Sequence, residues 1–476
     1  MRLPERSINV RIAPSSSWWS RIMALGVALT ASGCLSETLI DNYEDREISA
    51  DDQSDNPNKP SVGVTDVPVK PLGPSEHEPT LSIFRFGSEL LAYRPLLASL
   101  SDSEVLLVAP TEGAAGPSLE AYSQSSQWPT RTRLFPDDPL PTAVASDDTG
   151  AIVLAGAMTR SVSYGGTGIG NAGQGFFVVK LDSNWEFVAG VGGDVSGSAQ
   201  VSAVTVDAAH RVYVAINVVD DFGNELPEIR GYDASLHERF RIAGSMLGGM
   251  TGSLSTGMAV ITSLSVSADG TLLVAGRSSA PLRLSDVVIT PAMSALDGWY
   301  ARCETETGRC SSGALLSLPF GTEPAGYVDL GEKGERLAAT IFGGVSGTGA
   351  TVTSVSAPYL LSGRIGSGEL TQTCLGAEGQ VDSLVVTSDG TSYVAGRLPT
   401  ATLGGTGQYG FVAEVQADGS LSSQYVTSEL GILSTAIAAN RERVIWLAAS
   451  TPRSPGQGAI ADAVVLVRLE PKRASP

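Results

Sequence analysis

The chain has 476 residues and is poor in the residue types that most enzyme and nucleic-acid sites use. It contains 3 histidines, 4 cysteines and 6% aromatic residues, and 50 acidic side chains outnumber 31 basic ones, for a net charge of −19. Because binding to phosphates needs clustered lysine and arginine, this balance argues against nucleic acid as a partner. No apolar run reaches the roughly 18 residues of a membrane-spanning helix, so no lasting transmembrane segment is expected.

Residues 1–33 have the layout of a secretory signal peptide. A leader with four arginines precedes the apolar run Ile22–Gly33, which is too short to span a bilayer but has the length of a signal core. The run ends in "ASGC", Ala31 to Cys34, and these residues resemble the lipobox of bacterial lipoproteins, although Ala31 stands where that family more often has leucine. Ordinary signal cleavage near an unrelated cysteine is the alternative.

The lipobox resemblance implies lipidation of Cys34, with diacylglycerol and palmitate groups on what becomes the first residue of the mature chain. Two or three acyl chains would hold the protein stably on a membrane, whereas one chain would not. By the family's sorting rule, Leu35 rather than aspartate after the cysteine implies the outer membrane. The predicted location is therefore the cell envelope, as an outer-membrane lipoprotein that faces the periplasm or the outside.

Residues 34–79 lack a sustained hydrophobic period. An acidic stretch is followed by a proline-rich one, and neither can bury much apolar surface, so the segment is predicted to be a disordered tether. A domain edge with no role is the alternative. The remaining residues, 80–476, are predicted to form one folded domain.

A hairpin pattern recurs along this domain. The stretch "VITSLSVSADGTLLVAG" at 260–276 shares nine of seventeen residues with "QVDSLVVTSDGTSYVAG" at 380–396. Each consists of an alternating run, a turn with Asp-Gly, and an apolar run, which is the pattern of a β-hairpin. Further copies begin at 94, 140, 200, 323 and 433, at the spacing of a repeat architecture.

A second strand pair follows each hairpin, most clearly from Gly175, Gly298 and Tyr409. Four antiparallel strands per repeat predict the blade of an all-β protein of the β-propeller class. Seven four-stranded blades are predicted, with six or eight as alternatives. The segment "TLSIFRFGS", Thr80 to Ser88, has no partner in its own repeat and is predicted to close the last blade as its outer strand.

These hairpins, the glycine-rich stretches after them and the "F-V-x-K-L" strands resemble the bacterial β-propeller repeat proteins of the SBBP type. The likeness is closest at 140–300 and 380–430, and it is loose at 94–139, 324–379 and 433–476. The resemblance implies a fold, because that family has no single activity.

Two glycine motifs formally match G-x-G-x-x-G, at Gly168–Gly173 and Gly405–Gly410. A strand rather than a helix follows each, so both are interpreted as blade loops and no dinucleotide cofactor is predicted. Cys303 and Cys310 flank a turn in "CETETGRC", which favours a disulfide, with two buried thiols as the alternative. Cys374 is interpreted as a small core residue.

Histidine and aspartate offer no clear site. His77 lies in the predicted tether, and His210 and His237 are predicted to be turn residues. The aspartates are assigned to acidic turns, because none has the alternating spacing of a calcium loop. No catalytic, cofactor or metal-ligating residue is therefore assigned. The aspartates considered are Asp147, Asp148, Asp182, Asp220 and Asp221.

The function that these features predict is a non-enzymatic binding or scaffold module at the cell envelope, with an envelope protein or a glycan as its ligand. The connections near 164–175, 222–228 and 283–297 are the expected contact surfaces. The alternative is a propeller enzyme, a carbohydrate hydrolase or lyase with carboxylates in its central channel. Several carboxylates with an arginine in the channel would favour catalysis, whereas serine, threonine and valine would favour binding.

Overall fold

The structure is a computed structural model that describes residues 63–66, 77–86 and 95–471, the last range with gaps. The described residues contain no helix, and so none that could cross a membrane. The gaps are 102, 111–115, 124–125, 127–128, 136–138, 165, 171–172, 221–222, 248–256, 268, 292–296, 317–335, 344–356, 365–368, 376–379, 388–389, 400–407, 431–433, 440–443 and 452–462.

All described elements are strands, as the hairpin pattern predicts. The first are β1 (Gly63–Asp66), β2 (His77–Phe86), β3 (Leu96–Ser99), β4 (Glu104–Pro110), β5 (Pro117–Ser123), β6 (Arg131–Leu134), β7 (Ala143–Ser146), β8 (Ile152–Met158), β9 (Val162–Tyr164), β10 (Thr167–Ile169) and β11 (Gly175–Leu181). The next are β12 (Phe187–Asp194), β13 (Ser198–Val206), β14 (Val212–Val219), β15 (Glu225–Tyr232), β16 (Glu238–Ala243), β17 (Ser245–Met246), β18 (Ala259–Val266), β19 (Thr271–Ser278), β20 (Leu282–Leu284), β21 (Val287–Ile289) and β22 (Asp297–Glu304). The last are β23 (Cys310–Leu316), β24 (Arg336–Gly343), β25 (Ala357–Arg364), β26 (Glu369–Cys374), β27 (Gln380–Val386), β28 (Ser392–Pro399), β29 (Gln408–Val415), β30 (Leu421–Leu430), β31 (Ser434–Ala439), β32 (Ile445–Thr451) and β33 (Ala463–Pro471).

Among the described residues these strands form seven four-stranded sheets. In order they are sheet 1 (β3-β4-β5-β6), sheet 2 (β7-β8-β11-β12), sheet 3 (β13-β14-β15-β16), sheet 4 (β18-β19-β22-β23), sheet 5 (β24-β25-β26-β1), sheet 6 (β27-β28-β29-β30) and sheet 7 (β31-β32-β33-β2). Neighbouring strands are antiparallel except β1, which pairs parallel with β26. Two smaller sheets, β9-β10 and β17-β20-β21, lie in the connections.

The repeated hairpin turn has one geometry. In sheet 4 the backbone of Ser267 bonds to Thr271 O, and Gly270 N donates back to Ser267 O. Positive φ occurs at Gly270 (79°) and not at Asp269, so the turn is a three-residue loop with a left-handed third residue rather than a two-residue turn. Gly150 and Gly390 occupy the same position, with φ of 80° and 86°.

His210 replaces this glycine in sheet 3, and the turn keeps the same geometry there. His210 keeps a left-handed φ of 59°, and its amide bonds to Asp207 O as the glycine amides do in the other turns. Histidine is one of the few residues enriched in this backbone region. Arg443 stands at the position of this glycine in the repeat copy that begins at 433, and it lies outside the described residues.

The glycine of the "VAG" strand makes room for an aromatic ring. In sheet 4, Gly276 lies opposite Trp299, and a Cβ on Gly276 would stand 2.7 Å from that ring and 2.0 Å from Val260 O. Gly156 lies opposite Phe177 in sheet 2 in the same way. In the one copy that has isoleucine instead, Ile216, the residue opposite is Glu228 and not an aromatic. The glycine and the aromatic ring therefore occur together, because the ring occupies the space that a side chain on the glycine would fill.

The core of the molecule lies between the sheets. The second strands β8, β14 and β19 are buried on both faces, as their apolar sequences predict. Within the described part of the chain, six clusters of buried side chains join sheets 1–2, 2–3, 3–4, 5–6, 6–7 and 7–1. Their members include Leu106 and Leu154, Val153 and Val214, Tyr213 and Val274, Leu360 and Val394, Tyr393 and Leu447, and Leu107 and Trp446, in that order.

The N-terminal part of the chain adds outer strands to two later sheets. Strand β2 pairs antiparallel with β33, with Phe86 opposite Ala463 and His77 opposite Pro471. It begins three residues before the predicted domain boundary at 80. Strand β1 lies within the predicted tether and pairs with the outer strand β26, with Val64 opposite Leu370.

Replacing Gly276 by alanine is predicted to lower the free energy of unfolding by about 1–3 kcal/mol, because its Cβ would overlap Val260 O and the Trp299 ring. Gly168→Ala is the matched control, since a Cβ there meets nothing within 4 Å, and its effect should stay within about 0.5 kcal/mol. Chemical denaturation of both variants measures the difference. Equal stability of the two variants would contradict the packing account.

Candidate functional site

The hairpin turns of adjacent sheets emerge at one end of the sheets, which we call the turn end. Antiparallel order places the connection between strands one and two at the same end as the connection between strands three and four. The turn end therefore carries 147–150, 207–210, 267–270 and 304–309. The connections between strands two and three, including 164–175 and 283–297, emerge at the opposite end.

A cavity of about 590 Å³ opens at the turn end between sheets 3 and 4, and we call it the charged cleft. Its lining comes from Arg211, from the hairpin turn Asp269–Thr271, from Arg302–Glu306 and from Ser311–Ser312. These residues lie in turns and at strand ends, where side chains are not covered by a neighbouring sheet and polar groups can contact solvent.

Arg211 is the central residue of the charged cleft. Its Nε donates to Asp207 Oδ2 at 2.6 Å, and its Nη1 pairs with Glu306 of the neighbouring sheet. Burial opposes the positive charge, but the bonds to Asp207 and Glu306 outweigh it and raise the pKa of the Arg211 guanidinium. The hydroxyl of Tyr213 lies 2.9 Å from Asp207 Oδ2 and 3.3 Å from Thr305 O. Burial and the Asp207 charge raise the pKa of Tyr213.

Glu306 joins two strands of sheet 3 to sheet 4. Its carboxylate accepts hydrogen bonds from Arg239 and Arg211. These two bonds, of which that from Arg239 has the larger effect, hold the pKa of Glu306 below its ordinary value. On the other side of the cleft Arg302 Nη2 lies 3.3 Å from Asp269 Oδ2. The charged groups of the cleft are thus paired with one another, across the two sheets at Glu306 and within sheet 4 at Arg302.

A disulfide supports the turn that lines the charged cleft. Cys303 and Cys310 are opposite one another in β22 and β23, and their sulfurs are bonded at 2.06 Å. The bond spans the turn that carries Glu304, Thr305 and Glu306. It therefore restricts the backbone of three cleft residues. Two buried thiols were the alternative that the sequence left open, and the structure has the disulfide instead.

A second polar network lies between sheets 2 and 3, and sequence reasoning missed it. Arg230 Nε donates to Glu228 Oε1 at 2.6 Å, and both side chains are less than a tenth exposed. The guanidinium of Arg230 also stacks on Phe176 of sheet 2, 4.6 Å from the ring centre. Burial opposes its charge, but Glu228 raises the pKa of Arg230. A short-range signal existed in "PEIRGY", where Glu228 and Arg230 are two residues apart and would lie on the same face of a strand.

Other polar residues singled out from the sequence stabilise turns. Asp182 Oδ1 accepts bonds from the backbone N–H of Asn184 and Glu186, and Asp220 Oδ1 accepts one from Asn224. His237 pairs with Asp233 within its own turn, at 3.1 Å. These contacts agree with the assignment to acidic turns. His77 begins β2 and is not in a tether, because the strand reaches back beyond residue 80.

The remaining candidates are placed as follows. In the first glycine motif, 168–169 belong to β10, Gly170 is a bend with φ of 73°, and a strand follows, as expected. Residues 405–407 of the second motif, Asp221 and Cys34 lie outside the described residues, and so does the side chain of Cys374 at the end of β26. Within 222–228 the structure has β15 from Glu225 onward, so that connection is shorter than expected.

Comparisons with known proteins support the fold class. No protein-family model and no curated protein matches the sequence. Hydrazine synthase of Kuenenia stuttgartiensis is similar in structure, at 12% identity and a TM-score of 0.50, over 76% of this chain and 94% of that one. Successive four-stranded sheets, antiparallel except at β1, that pack face to face define the fold. The chain is a β-propeller.

Weaker structural likenesses include an enzyme and a peptide complex. The structure of YCF48 bound to D1 peptide has 11% identity and a TM-score of 0.43, over 85% of this chain and 99% of that one. A polysaccharide lyase, an ulvan lyase, has 10% identity and a TM-score of 0.46, over 80% of this chain and 95% of that one. At these identities the likeness is one of fold.

The ion pairs of the charged cleft predict a change in acid stability. Because Glu306 has a lowered pKa in the folded protein, its contribution is present above its ordinary pKa of 4.5 and is lost as the pH falls below that value. The variant Glu306→Gln should therefore show a smaller fall in melting temperature between about pH 5 and pH 3 than the unmodified protein.

The matched control is Glu304→Gln, two residues away. Glu304 accepts a bond from Thr307 within its own turn rather than from the two arginines of sheet 3. Its melting curve should follow that of the unmodified protein across the same pH range. Identical pH profiles of Glu306→Gln and the unmodified protein would contradict the ion-pair assignment.

Proposed function

We propose that this chain is a lipid-anchored β-propeller of the cell envelope, of the SBBP type, that acts as a non-enzymatic binding or scaffold module. In this proposal seven blades form a closed ring, the acylated Cys34 holds the protein on the outer membrane, and 34–79 serves as its stalk. An envelope protein or a glycan is the ligand. The charged cleft is the observation that carries the binding role.

Contacts at both ends of the chain support a closed ring. The first strand of sheet 1, β3, packs beside β7 of sheet 2 on one side and β31 of sheet 7 on the other. Tyr122 of sheet 1 and Trp446 of sheet 7 share a core cluster, with ring centres 6.4 Å apart. Arg468 of β33 lies 3.4 Å from Ser123 O of sheet 1. With β2 as its outer strand, sheet 7 draws on both ends of the domain, which favours closure.

The charged cleft has the properties of a preformed polar binding surface. Glu306 is paired with two arginines of sheet 3, Arg302 is paired with Asp269 within sheet 4, and the turn is restrained by the disulfide. A ligand therefore meets donors and acceptors that need little further ordering, which reduces the entropy lost on binding. Polar groups of both signs suit a peptide backbone or a glycan, which also carry donors and acceptors.

The first strands of the sheets bear on the enzymatic alternative. These strands lie beside one another from sheet to sheet, as β7 lies beside β13 and β13 beside β18, and they are nearest the axis of a closed ring. Their residues are mainly serine, threonine, alanine and valine, as in "SAQVSAVTV" and "STAIAA". Asp382 of β27 is the carboxylate among the described first strands. This composition favours binding over acid–base chemistry.

The binding role is tested by crosslinking in cells. A photoreactive phenylalanine analogue at Ser312, an exposed residue of the charged cleft, should give a discrete adduct on illumination. The matched position is Ser163, which is exposed in β9 at the opposite end and should give none. The adduct at Ser312 should weaken at least several-fold in the Arg302→Ala background. An adduct at Ser163 alone would overturn the assignment of ligand binding to the cleft. So would an adduct at Ser312 that is as strong in the Arg302→Ala variant as in the unmodified protein.

The lipid anchor is tested separately. Cys34→Ala should move the protein from the membrane fraction to the soluble fraction, because Cys34 is the residue that carries the acyl chains in this proposal. Ser36→Ala is the control and should leave the protein with the membrane. Mass spectrometry of the N-terminal peptide should show diacylglyceryl-cysteine in the control. An unmodified N-terminal cysteine there would contradict the anchor but not the binding role.

A further inference from the structure

The turn end also holds a cluster of three side chains from two sheets. Asp147 and Asp148 lie in the hairpin turn of sheet 2, and His210 lies in the corresponding turn of sheet 3. One ligand atom of each residue falls within 4.8 Å of the others. His210 Nδ1 is 2.9 Å from Asp147 Oδ2 and 3.8 Å from Asp148 Oδ1. We propose that these residues bind one divalent transition-metal ion of the zinc type between the two sheets.

The distances suit a zinc ion. Zinc–nitrogen and zinc–oxygen bonds of about 2.0–2.2 Å in a tetrahedral site place ligand atoms roughly 3.4 Å apart. That separation lies between the two distances from His210 Nδ1 to the aspartate oxygens. A small rotation of the imidazole and of Asp148 therefore completes the site, and three protein ligands leave a fourth position for water.

One of the ligands, Asp147, is held in place by contacts outside the site. Asp147 Oδ1 accepts bonds from the Thr149 hydroxyl and from the N–H of Thr149 and Ala151, which leaves Oδ2 directed at His210. The side chain of Asp147 is only 4% exposed. These contacts orient the carboxylate so that Oδ2 is the oxygen available to a cation.

The charge around the site favours a cation. Asp147 and Asp148 are adjacent carboxylates, and within the part of the chain that the structure describes neither forms an ion pair with lysine or arginine. Asp148 is 69% exposed, so its side chain is free to turn toward an incoming ion. One imidazole with two carboxylates suits zinc better than calcium, which requires six to eight oxygen ligands.

The site depends on a substitution in the repeat. At the left-handed position of the turn the other hairpins have Gly150, Gly270 and Gly390, and only sheet 3 has a histidine among the described turns of this set. The backbone turn is the same, so the histidine adds a side chain at no change of fold. That side chain points across the sheet boundary to the aspartates of the preceding repeat.

Titration of the full-length mature protein with Zn²⁺ alone, after removal of metal by a chelator, tests the proposal. Isothermal calorimetry should give one ion per chain. Asp148→Asn should weaken binding at least tenfold, and His210→Asn should abolish stoichiometric binding. Asparagine is chosen because it also tolerates the left-handed backbone at 210. Melting without metal checks that each variant folds.

His237→Asn is the matched control, because His237 contacts Asp233 in a similar pair but has no third ligand nearby among the described residues. It should bind Zn²⁺ as the unmodified protein does. Co²⁺ gives a second measurement, since a bound imidazole and two carboxylates should produce visible absorption bands that His210→Asn removes. Absence of stoichiometric binding, or equal binding by His210→Asn and the unmodified protein, would overturn the site.

Discussion

The burial of each second strand between two neighbouring sheets is the interaction on which the rest of the molecule depends. A four-stranded sheet of this size has two apolar faces, and it is stable only when other sheets cover both. Strands β8 and β14 show the result, with almost every side chain buried. The glycine opposite Phe177 or Trp299 serves the same purpose, because it lets a large ring lie flat against the second strand. Charged side chains can then reach solvent mainly at strand ends.

Polar contacts between sheets fix how adjacent sheets meet. Lys180 of sheet 2 is nearly buried and donates to Ala234 O in a turn of sheet 3, at 3.1 Å. Arg468 occupies the equivalent register position in sheet 7 and reaches Ser123 O of sheet 1. Asn217 bonds to both backbone groups of Ile261 across the boundary between sheets 3 and 4. Contact between the apolar faces stabilises the packing of neighbouring sheets, and these directional hydrogen bonds select one relative alignment of the sheets. The charged cleft and the Asp147–His210 pair are built from contacts of the same kind.

Much of the architecture could be predicted because it is local. Alternation, apolar runs and Asp-Gly turns locate the hairpins within a few residues, and the chain position of 80–88 indicated an unpaired strand that pairs with β33. The candidate site was not predictable in this way. Arg211 and Glu306 are 95 residues apart, and His210 and Asp147 are 63 apart, so their contact depends on how sheets pack. The loops favoured from the sequence, 164–175 and 283–297, lie at the end opposite the cleft. They were chosen for their length, and the length of a loop does not indicate where charged side chains gather.

The central claim is that first and last sheets pack on each other as neighbours do elsewhere. A double-mutant cycle between Tyr122 and Trp446, each replaced by leucine, tests it most directly by chemical denaturation. The two rings lie 6.4 Å apart in one buried cluster, so the account predicts a coupling energy of about 0.5–1.5 kcal/mol. Effects that add to within about 0.3 kcal/mol would show that the rings do not meet and would contradict the packing of sheet 1 on sheet 7.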